Sequence, residues 1–237
     1  MSSDGLIFED KLPDTQEQQV TVELPVRQCA VAFVKDKTPA AGFVIITPEA
    51  ARTLAEHHVL VFMQRGFSDG SPYTDMDYAD AGVRFEDDLF RLAEAAKLLV
   101  KFSPFTADEV AGMKEGQILF SDWAAADIDA DMVRRMNDKC ITAMAMCQIR
   151  DDKDVSITER ILSETLSPKA LGIAFSAFLI PWIECIVFSN SLKFTLQKEP
   201  ALLPGVYAFA GCLCSKEIAE RLHLPWKSVV SLCWDMN

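Results

Sequence analysis

The chain has 237 residues, of which half are apolar, and its formal net charge at neutral pH is −12. This length is sufficient for one α/β domain with a full core, with or without a small appendage, and it is short for two large domains. The acidic balance argues against nucleic-acid binding, because phosphates require a basic face.

Alternating strands and helices are predicted from residue 29 to residue 147, after a polar and acidic N-terminal extension at residues 1–25. The pattern predicts strands at 29–34, 98–102, 116–121 and 140–147 and helices at 74–82, 85–96, 106–113 and 127–137. A capping box formed by Thr106 and Glu109 begins the third of these helices. The strand at 140–147 is the last clear one.

The stretch 42–63 predicts the organising unit of the sheet. A strand at 44–46 is followed by a helix that Thr47 caps and Pro48 begins, and then by an apolar strand at 59–63. Such a βαβ unit implies a parallel sheet, whose ligands bind at the carboxyl ends of the strands.

Beyond residue 156 the pattern becomes helical. A long helical region over 158–198 is broken near Ser167 and bent at Pro181, and a turn at 204–205, a helix at 215–222 and a last apolar stretch follow it.

One part of this region, residues 170–189, is about as apolar and as long as a membrane span. Pro181 and Glu184 interrupt it, so a buried core helix is favoured over a membrane helix.

Seven cysteines are scattered along the chain, mostly among apolar neighbours, as is typical of a reducing compartment. The first ten residues show no basic segment followed by an apolar one, so we expect a cytoplasmic protein without a secretory signal. Cys212 and Cys214 are too close for the usual zinc spacing and lack a second pair, so we interpret them as buried apolar residues and expect no metal.

The predicted fold is therefore α/β, a flavodoxin-like three-layer sandwich with a mainly parallel sheet. It comprises the extension at 1–25, an α/β domain at 26–166, and a C-terminal helical segment at 167–237 that packs back on the sheet and completes the same domain.

Several stretches carry a family resemblance: ITPEAARTLAEHHVLVFMQRG, DMDYADAGV, EGQILFSDWAAA, CITAMAM and LSET, and, near the C-terminus, LIPWI and EPALLPGVYAFAGCLCSKEIAERLHLPW. In this order they resemble the N-terminal domain and closing helix of alanine dehydrogenase and of the nicotinamide nucleotide transhydrogenase α subunit. The resemblance covers about 200 residues. It implies a substrate domain of an NAD-dependent oxidoreductase.

The NAD-binding Rossmann domain of that family has no counterpart between residues 166 and 175. No two of the ten glycines stand two apart, so the G-x-G-x-x-G sequence that seats a pyrophosphate cannot be written anywhere in the chain. We therefore expect no cofactor.

The family's substrate-binding residues can be transferred to this sequence one at a time. The resemblance places its carboxylate-binding arginine on Phe43, whose ring cannot replace a guanidinium fork. Its second anion-binding lysine falls on Phe102, or on Lys101 if the register differs by one residue. Its general-acid histidine falls on Ala124, next to Trp123. These replacements imply an apolar cleft between Phe43, Phe102 and Trp123 with no catalytic residue.

Two functional hypotheses follow. The first is a non-catalytic homologue of the family's substrate domain that acts as a binding or assembly module. The second is an oxidoreductase component that works with a separate NAD-binding chain. Loss of a whole domain would uncover helix faces within 173–188, so we expect a homo-oligomer or a protein partner. The aromatic residues of the cleft could bind a small apolar ligand, or they could serve only as core residues.

Overall fold

The computed structural model describes residues 29–36, 42–151, 153–165 and 167–234. The predicted extension at 1–25 lies outside these residues. The strands are β1 Ala30–Phe33, β2 Leu60–Gln64, β3 Arg84–Glu86, β4 Leu98–Lys101, β5 Ile118–Ser121, β6 Thr142–Ala145, β7 Val206–Phe209 and β8 Cys212–Leu213. The α-helices are α1 Pro48–Glu56, α2 Asp75–Asp80, α3 Leu89–Ala95, α4 Ala107–Gly112, α5 Ala130–Asp138, α6 Ile157–Glu164, α7 Pro168–Phe188, α8 Leu192–Lys198, α9 Lys216–Leu222 and α10 Val229–Trp234. Short 3₁₀ helices are at Ala125–Asp127, Met146–Gln148 and Pro200–Gly205.

The eight strands form one sheet in the order β3-β2-β1-β4-β5-β6-β7-β8. Strands β1 to β6 run parallel, and β7 and β8 are antiparallel additions at one edge. Apart from the three-residue edge strand β3, the parallel strands have the 2-1-3-4-5 order of a flavodoxin-like sheet. Helices α1, α2, α7, α8 and α10 cover one face and α3, α4, α5 and α9 the other. The predicted three-layer α/β fold is confirmed.

Local sequence signals explain most helix starts. Thr47 and Thr106 cap α1 and α4 through their side-chain oxygens, and Glu109 completes the predicted capping box of α4. The predicted single helix at 85–96 is wrong, because Asp88 accepts hydrogen bonds from the backbone of Phe90 and Arg91 and so begins α3 only after the short strand β3.

The C-terminal segment is not only helical. Strands β7 and β8 form a hairpin that pairs with β6, so the strand predicted at 140–147 is not the last one. The turn between them uses Ala210 and Gly211, both with positive φ (51° and 73°). Two-residue turns with positive φ at both positions usually have the sequence Asn-Gly or Asp-Gly, and the alanine at the first position here does not predict such a turn.

The predicted strand at 44–46 is also wrong. Residues 42–47 form an irregular segment that α7 covers, so their apolar side chains pack against a helix instead of joining the sheet. The backbone N–H of Thr47 donates to Ser176 Oγ (2.9 Å), and Tyr78 Oη donates to the Ile46 carbonyl (2.6 Å). Gly172 allows close approach, since a Cβ there would lie 3.1 Å from the Val44 carbonyl oxygen. Helix α7 therefore holds this segment in place.

Among the described residues, α7 is the one helix that is long and apolar enough, by length and composition, to cross a membrane. Its inner side contributes Phe175, Leu179 and Ile183 to the core on one face of the sheet. These contacts are those predicted for a buried core helix.

We predict that Ser176→Ala lowers the free energy of unfolding by about 1–3 kcal/mol, because the buried Thr47 N–H loses its acceptor. Urea unfolding measures this change. Ser163→Ala, an exposed serine near the end of α6, is the control and should change stability by less than about 0.5 kcal/mol. Equal effects of the two substitutions would contradict the assigned role of Ser176.

Candidate functional site

The strand order reverses between β1 and β4, and the carboxyl ends of these strands are where ligands of doubly wound sheets bind. Lys35 and Asp36 follow β1, and Phe102 and Ser103 follow β4. The Asp36 carboxylate accepts hydrogen bonds from the backbone N–H (2.8 Å) and the hydroxyl of Ser103. The two strand ends are thus tied together at the position a ligand would occupy.

Three aromatic rings pack beside this link, and we name Phe43, Phe102 and Phe175 the phenylalanine cluster. Ring centroids are 5.2 Å apart for Phe43 and Phe102, 5.5 Å for Phe43 and Phe175, and 5.3 Å for Phe102 and Phe175. Two of these pairs are edge-to-face and one is stacked, which are the arrangements aromatic pairs prefer. Phe175 is fully buried, and the other two are half-buried.

Little space remains in the crevice next to the cluster. The free volume is about 20 Å³, room for about one water molecule. A cation does lie at its rim: the Lys35 Nζ is 2.6 Å from Asp69 Oδ2. Its described lining residues are Lys35, Asp36, Phe43, Val44, Ile45, Gly66, Phe67 and Phe102. Among these residues, the crevice is filled by rings and its charged groups are already partnered.

Lys101, the alternative position for the family's lysine, lies on the opposite side of the sheet. Its Nζ is 3.0 Å and 3.1 Å from the two carboxylate oxygens of Glu109 and donates to the Pro104 carbonyl (3.3 Å). The side chain is 1% exposed, and its ammonium group lies over the ring of Phe105. Because side chains alternate along β4, Phe102 faces the crevice and Lys101 does not.

Trp123 and Ala124 do not join the cluster. Trp123 is fully buried on the face opposite the phenylalanine cluster, where its Nε1 donates to the Met144 carbonyl (3.1 Å). The predicted cleft between Phe43, Phe102 and Trp123 is therefore wrong. Ala124 is exposed and begins a 3₁₀ helix.

Asp122 is a titratable residue at this edge of the sheet that no sequence motif marks. Its backbone N–H donates to the Phe102 carbonyl (3.0 Å), which places its main chain next to that of Phe102. Burial raises the pKa of the Asp122 carboxyl to about 6; the Thr158 hydroxyl, 3.2 Å away, opposes this shift, and the charges of Glu159 and Asp127 add to it. Its position directly after the buried strand β5 is the sequence feature that could have predicted a titratable residue at this edge.

Cys147 lies next to Asp122 and is not an activated nucleophile. Burial, followed by the charge of Asp122, raises the pKa of the Cys147 thiol to about 11, and the thiol donates to the Trp123 carbonyl. A protonated thiol is a poor nucleophile and a poor metal ligand. Burial likewise raises the pKa of the neighbouring Tyr207. Within the described chain, no group of three or more His, Cys, Asp or Glu side chains is arranged to hold a metal ion.

Residues 37–159 match the protein family described as alanine dehydrogenase/PNT, N-terminal domain. Over 78 residues the chain is 36% identical to an alanine dehydrogenase of Halomonas elongata, a match that covers 33% of this chain and 21% of that protein. A solved L-alanine dehydrogenase has a TM-score of 0.51 at 20% identity, covering 56% of this chain and 37% of its own. A transhydrogenase from Sinorhizobium meliloti has a TM-score of 0.48 at 22% identity, covering 56% and 41%.

The sheet order and the likeness to a solved L-alanine dehydrogenase define an α/β domain of the alanine dehydrogenase fold. The family match spans more than half of the residues, and the chain belongs to the alanine dehydrogenase/PNT N-terminal domain family. The matched region covers between 21% and 41% of these relatives' lengths.

Asp122 predicts a pH-dependent stability. Its pKa is 3.8 when unfolded and about 6 when folded, so its stabilising contribution grows as pH falls through 6 and levels off below 4. The difference corresponds to roughly 3 kcal/mol. Asp122→Asn should therefore raise the free energy of unfolding at pH 7.5 by up to about this amount, and by much less at pH 4.5. Urea unfolding at both pH values measures the change.

Asp77→Asn is the control for this experiment. Hydrogen bonds from the backbone and the hydroxyl of Thr74 hold the pKa of the Asp77 carboxyl below 3.8, so the stability it contributes is lost only at still lower pH. Asp77→Asn should therefore change the free energy of unfolding by the same amount at pH 7.5 and pH 4.5. A pH-independent effect of Asp122→Asn would contradict the assigned burial of that charge.

Proposed function

We propose that this protein is a non-catalytic homologue of the alanine dehydrogenase/transhydrogenase substrate domain, which acts as a binding or assembly module. The single observation that carries the proposal is the phenylalanine cluster. It occupies the carboxyl edge of β1 and β4, where a doubly wound domain binds its ligand.

Chemistry supports this proposal. A substrate carboxylate is bound by charge-assisted hydrogen bonds, best from a planar guanidinium. Phenylalanine rings offer no donor, and burying a carboxylate against them without a partner is strongly unfavourable. The lysines at the carboxyl ends of β1 and β4 are engaged elsewhere, Lys35 with Asp69 and Lys101 with Glu109. A small apolar ligand would enter only if the rings moved, since they leave room for about one water molecule.

The connection between α6 and α7 also supports it. The family resemblance places the insertion point of the nucleotide-binding domain at this connection. Only residues 165–167 separate the end of α6 from the start of α7. The chain contains no G-x-G-x-x-G sequence. Hydride transfer to NAD would need a nucleotide site from another source.

We predict that the chain alone binds neither NADH nor pyruvate with a dissociation constant below about 1 mM. Isothermal titration calorimetry measures both, and an absorbance assay for NADH oxidation with pyruvate and ammonium should show no activity. A catalytically active alanine dehydrogenase serves as the positive control. Binding of NADH at micromolar concentration, or turnover above the buffer rate, would overturn the proposal.

A second candidate is an oxidoreductase component that works with a separate NAD-binding chain. Asp122 favours it, because its backbone N–H donates to the Phe102 carbonyl (3.0 Å) and a carboxyl group with a pKa of about 6 could exchange a proton near neutral pH. This candidate predicts that the protein co-purifies from its native extract with a chain that carries the G-x-G-x-x-G sequence. Tagged wild-type protein and Asp122→Asn provide the test by affinity purification and mass spectrometry.

The two candidates give different results in that experiment. A stoichiometric nucleotide-binding partner that confers NADH oxidation on the wild type, but not on Asp122→Asn, would favour the split enzyme. Absence of such a partner, together with absence of NADH binding, would leave the non-catalytic proposal standing.

A further inference from the structure

A cavity of about 320 Å³ lies at the amino ends of three neighbouring strands, at the opposite end of the sheet from the phenylalanine cluster. Its lining includes Ala30, Leu98 and Ile118, the first residues of β1, β4 and β5, and parts of the connection between α7 and α8. The volume is about twice that of a cavity that holds one benzene molecule, so several apolar side chains fit. We name it the amino-end cavity.

The amino-end cavity also borders polar groups that have no partner in the described chain. Helix α7 ends at Phe188, and no N–H or hydroxyl group of the described residues outside the helix donates to the carbonyls of residues 185–188. The ammonium group of Lys97, another lining residue, is paired with no described acid. Carbonyls at a helix C-terminus accept hydrogen bonds from backbone N–H groups, and a peptide segment supplies such groups.

The chain that precedes β1 leaves from the amino-end cavity itself. Cys29 is the first described residue and lines the cavity, and 28 residues precede it in the sequence. A segment attached at this point is present at an effective concentration of the order of millimolar, without any second molecule having to bind. The preceding segment is therefore the occupant that competes best for this cavity.

The sequence of that segment suits an apolar cavity. Residues 20–26, VTVELPV, place an apolar side chain at every second position, which is the period of an extended chain with one apolar face. These side chains are Val20, Val22, Leu24 and Val26. Leu24 precedes Pro25, and a residue before proline favours an extended backbone over a helical one.

Charge is complementary between the segment and the cavity. Residues 1–28 contain six acidic and two basic residues, a net charge of −4, whereas Lys97 is a cation without a described acidic partner. Glu23 is six residues before Cys29, so it can reach about 20 Å from that residue in an extended chain. Lys97 lines the same cavity as Cys29 and is within that reach.

We propose that residues 20–28 dock in the amino-end cavity as an extended segment, with Val22 and Leu24 packed inside and Glu23 near Lys97. The docked segment supplies backbone N–H groups to the end of α7. It thereby ties the start of β1 to the helix that carries Phe175 of the phenylalanine cluster. The inference goes beyond the proposed function and does not depend on it.

Alkylation of the full chain with N-ethylmaleimide, followed by mass spectrometry of the modified peptides, tests the proposal. Cys29 should react at least about tenfold more slowly than the exposed Cys140 in the wild type, because the segment covers it. Val22→Asp and Leu24→Asp should each raise the Cys29 rate at least about fivefold and leave the Cys140 rate unchanged, because a carboxylate is not accepted in an apolar cavity. Lys97→Glu should act in the same direction from the cavity side.

Thr21→Asp is the matched control. It introduces the same charge one position away from Val22, on the other face of an extended chain, and should leave the Cys29 rate unchanged. Urea unfolding of each variant separates undocking of the segment from loss of the fold.

A Cys29 rate that neither Val22→Asp nor Leu24→Asp raises, or that Thr21→Asp raises equally, would overturn the proposal. Protection of Cys29 that grows with protein concentration between about 1 and 100 µM would overturn it in favour of a segment from a second copy. Protection that is lost after unfolding and refolding in buffer would overturn it in favour of a bound small molecule. None of these outcomes involves NADH or pyruvate binding, so they do not bear on the proposed function.

Discussion

The docking of α7 onto residues 42–47 is the contact on which the rest of the candidate site depends. The Thr47 N–H reaches the Ser176 hydroxyl, and Gly172 lets the helix approach the Val44 carbonyl without a side chain between them. One residue from Ser176, Phe175 is thereby pressed against Phe43 and so completes the phenylalanine cluster. Helix α7, from the C-terminal third of the chain, therefore determines which side chains fill the crevice at the ends of β1 and β4.

The alternation of side chains in the parallel strands decides which groups can reach that crevice. Lys101 and Phe102 are neighbours in sequence, yet one is bound to Glu109 on one face of the sheet and the other packs against Phe43 on the opposite face. The same rule separates Trp123 from Asp122. A side chain one position away along the strand therefore lies on the other face of the sheet and cannot contact a ligand in the crevice.

Several features were predictable because their signals are local. The caps at Thr47 and Thr106 depend on the next three residues, and the parallel strands are continuous apolar runs. The hairpin β7–β8 was missed because Ala210 adopts a positive φ that only its pairing context supports. Residues 44–46 read as a strand because a buried irregular segment and a buried strand have the same composition, and only the position of α7 distinguishes them.

The sequence by itself determined the fold class, the family resemblance, the lack of a G-x-G-x-x-G sequence and the aromatic residues at positions 43 and 102, since each is a property of residue type and spacing. Only the tertiary structure decided that Phe175 closes the cluster, that Lys101 points away and that Asp122 is the titratable neighbour. The physical reason is that these contacts join residues far apart in the chain. Their geometry is set by strand register and by the packing of α7, which no local pattern encodes.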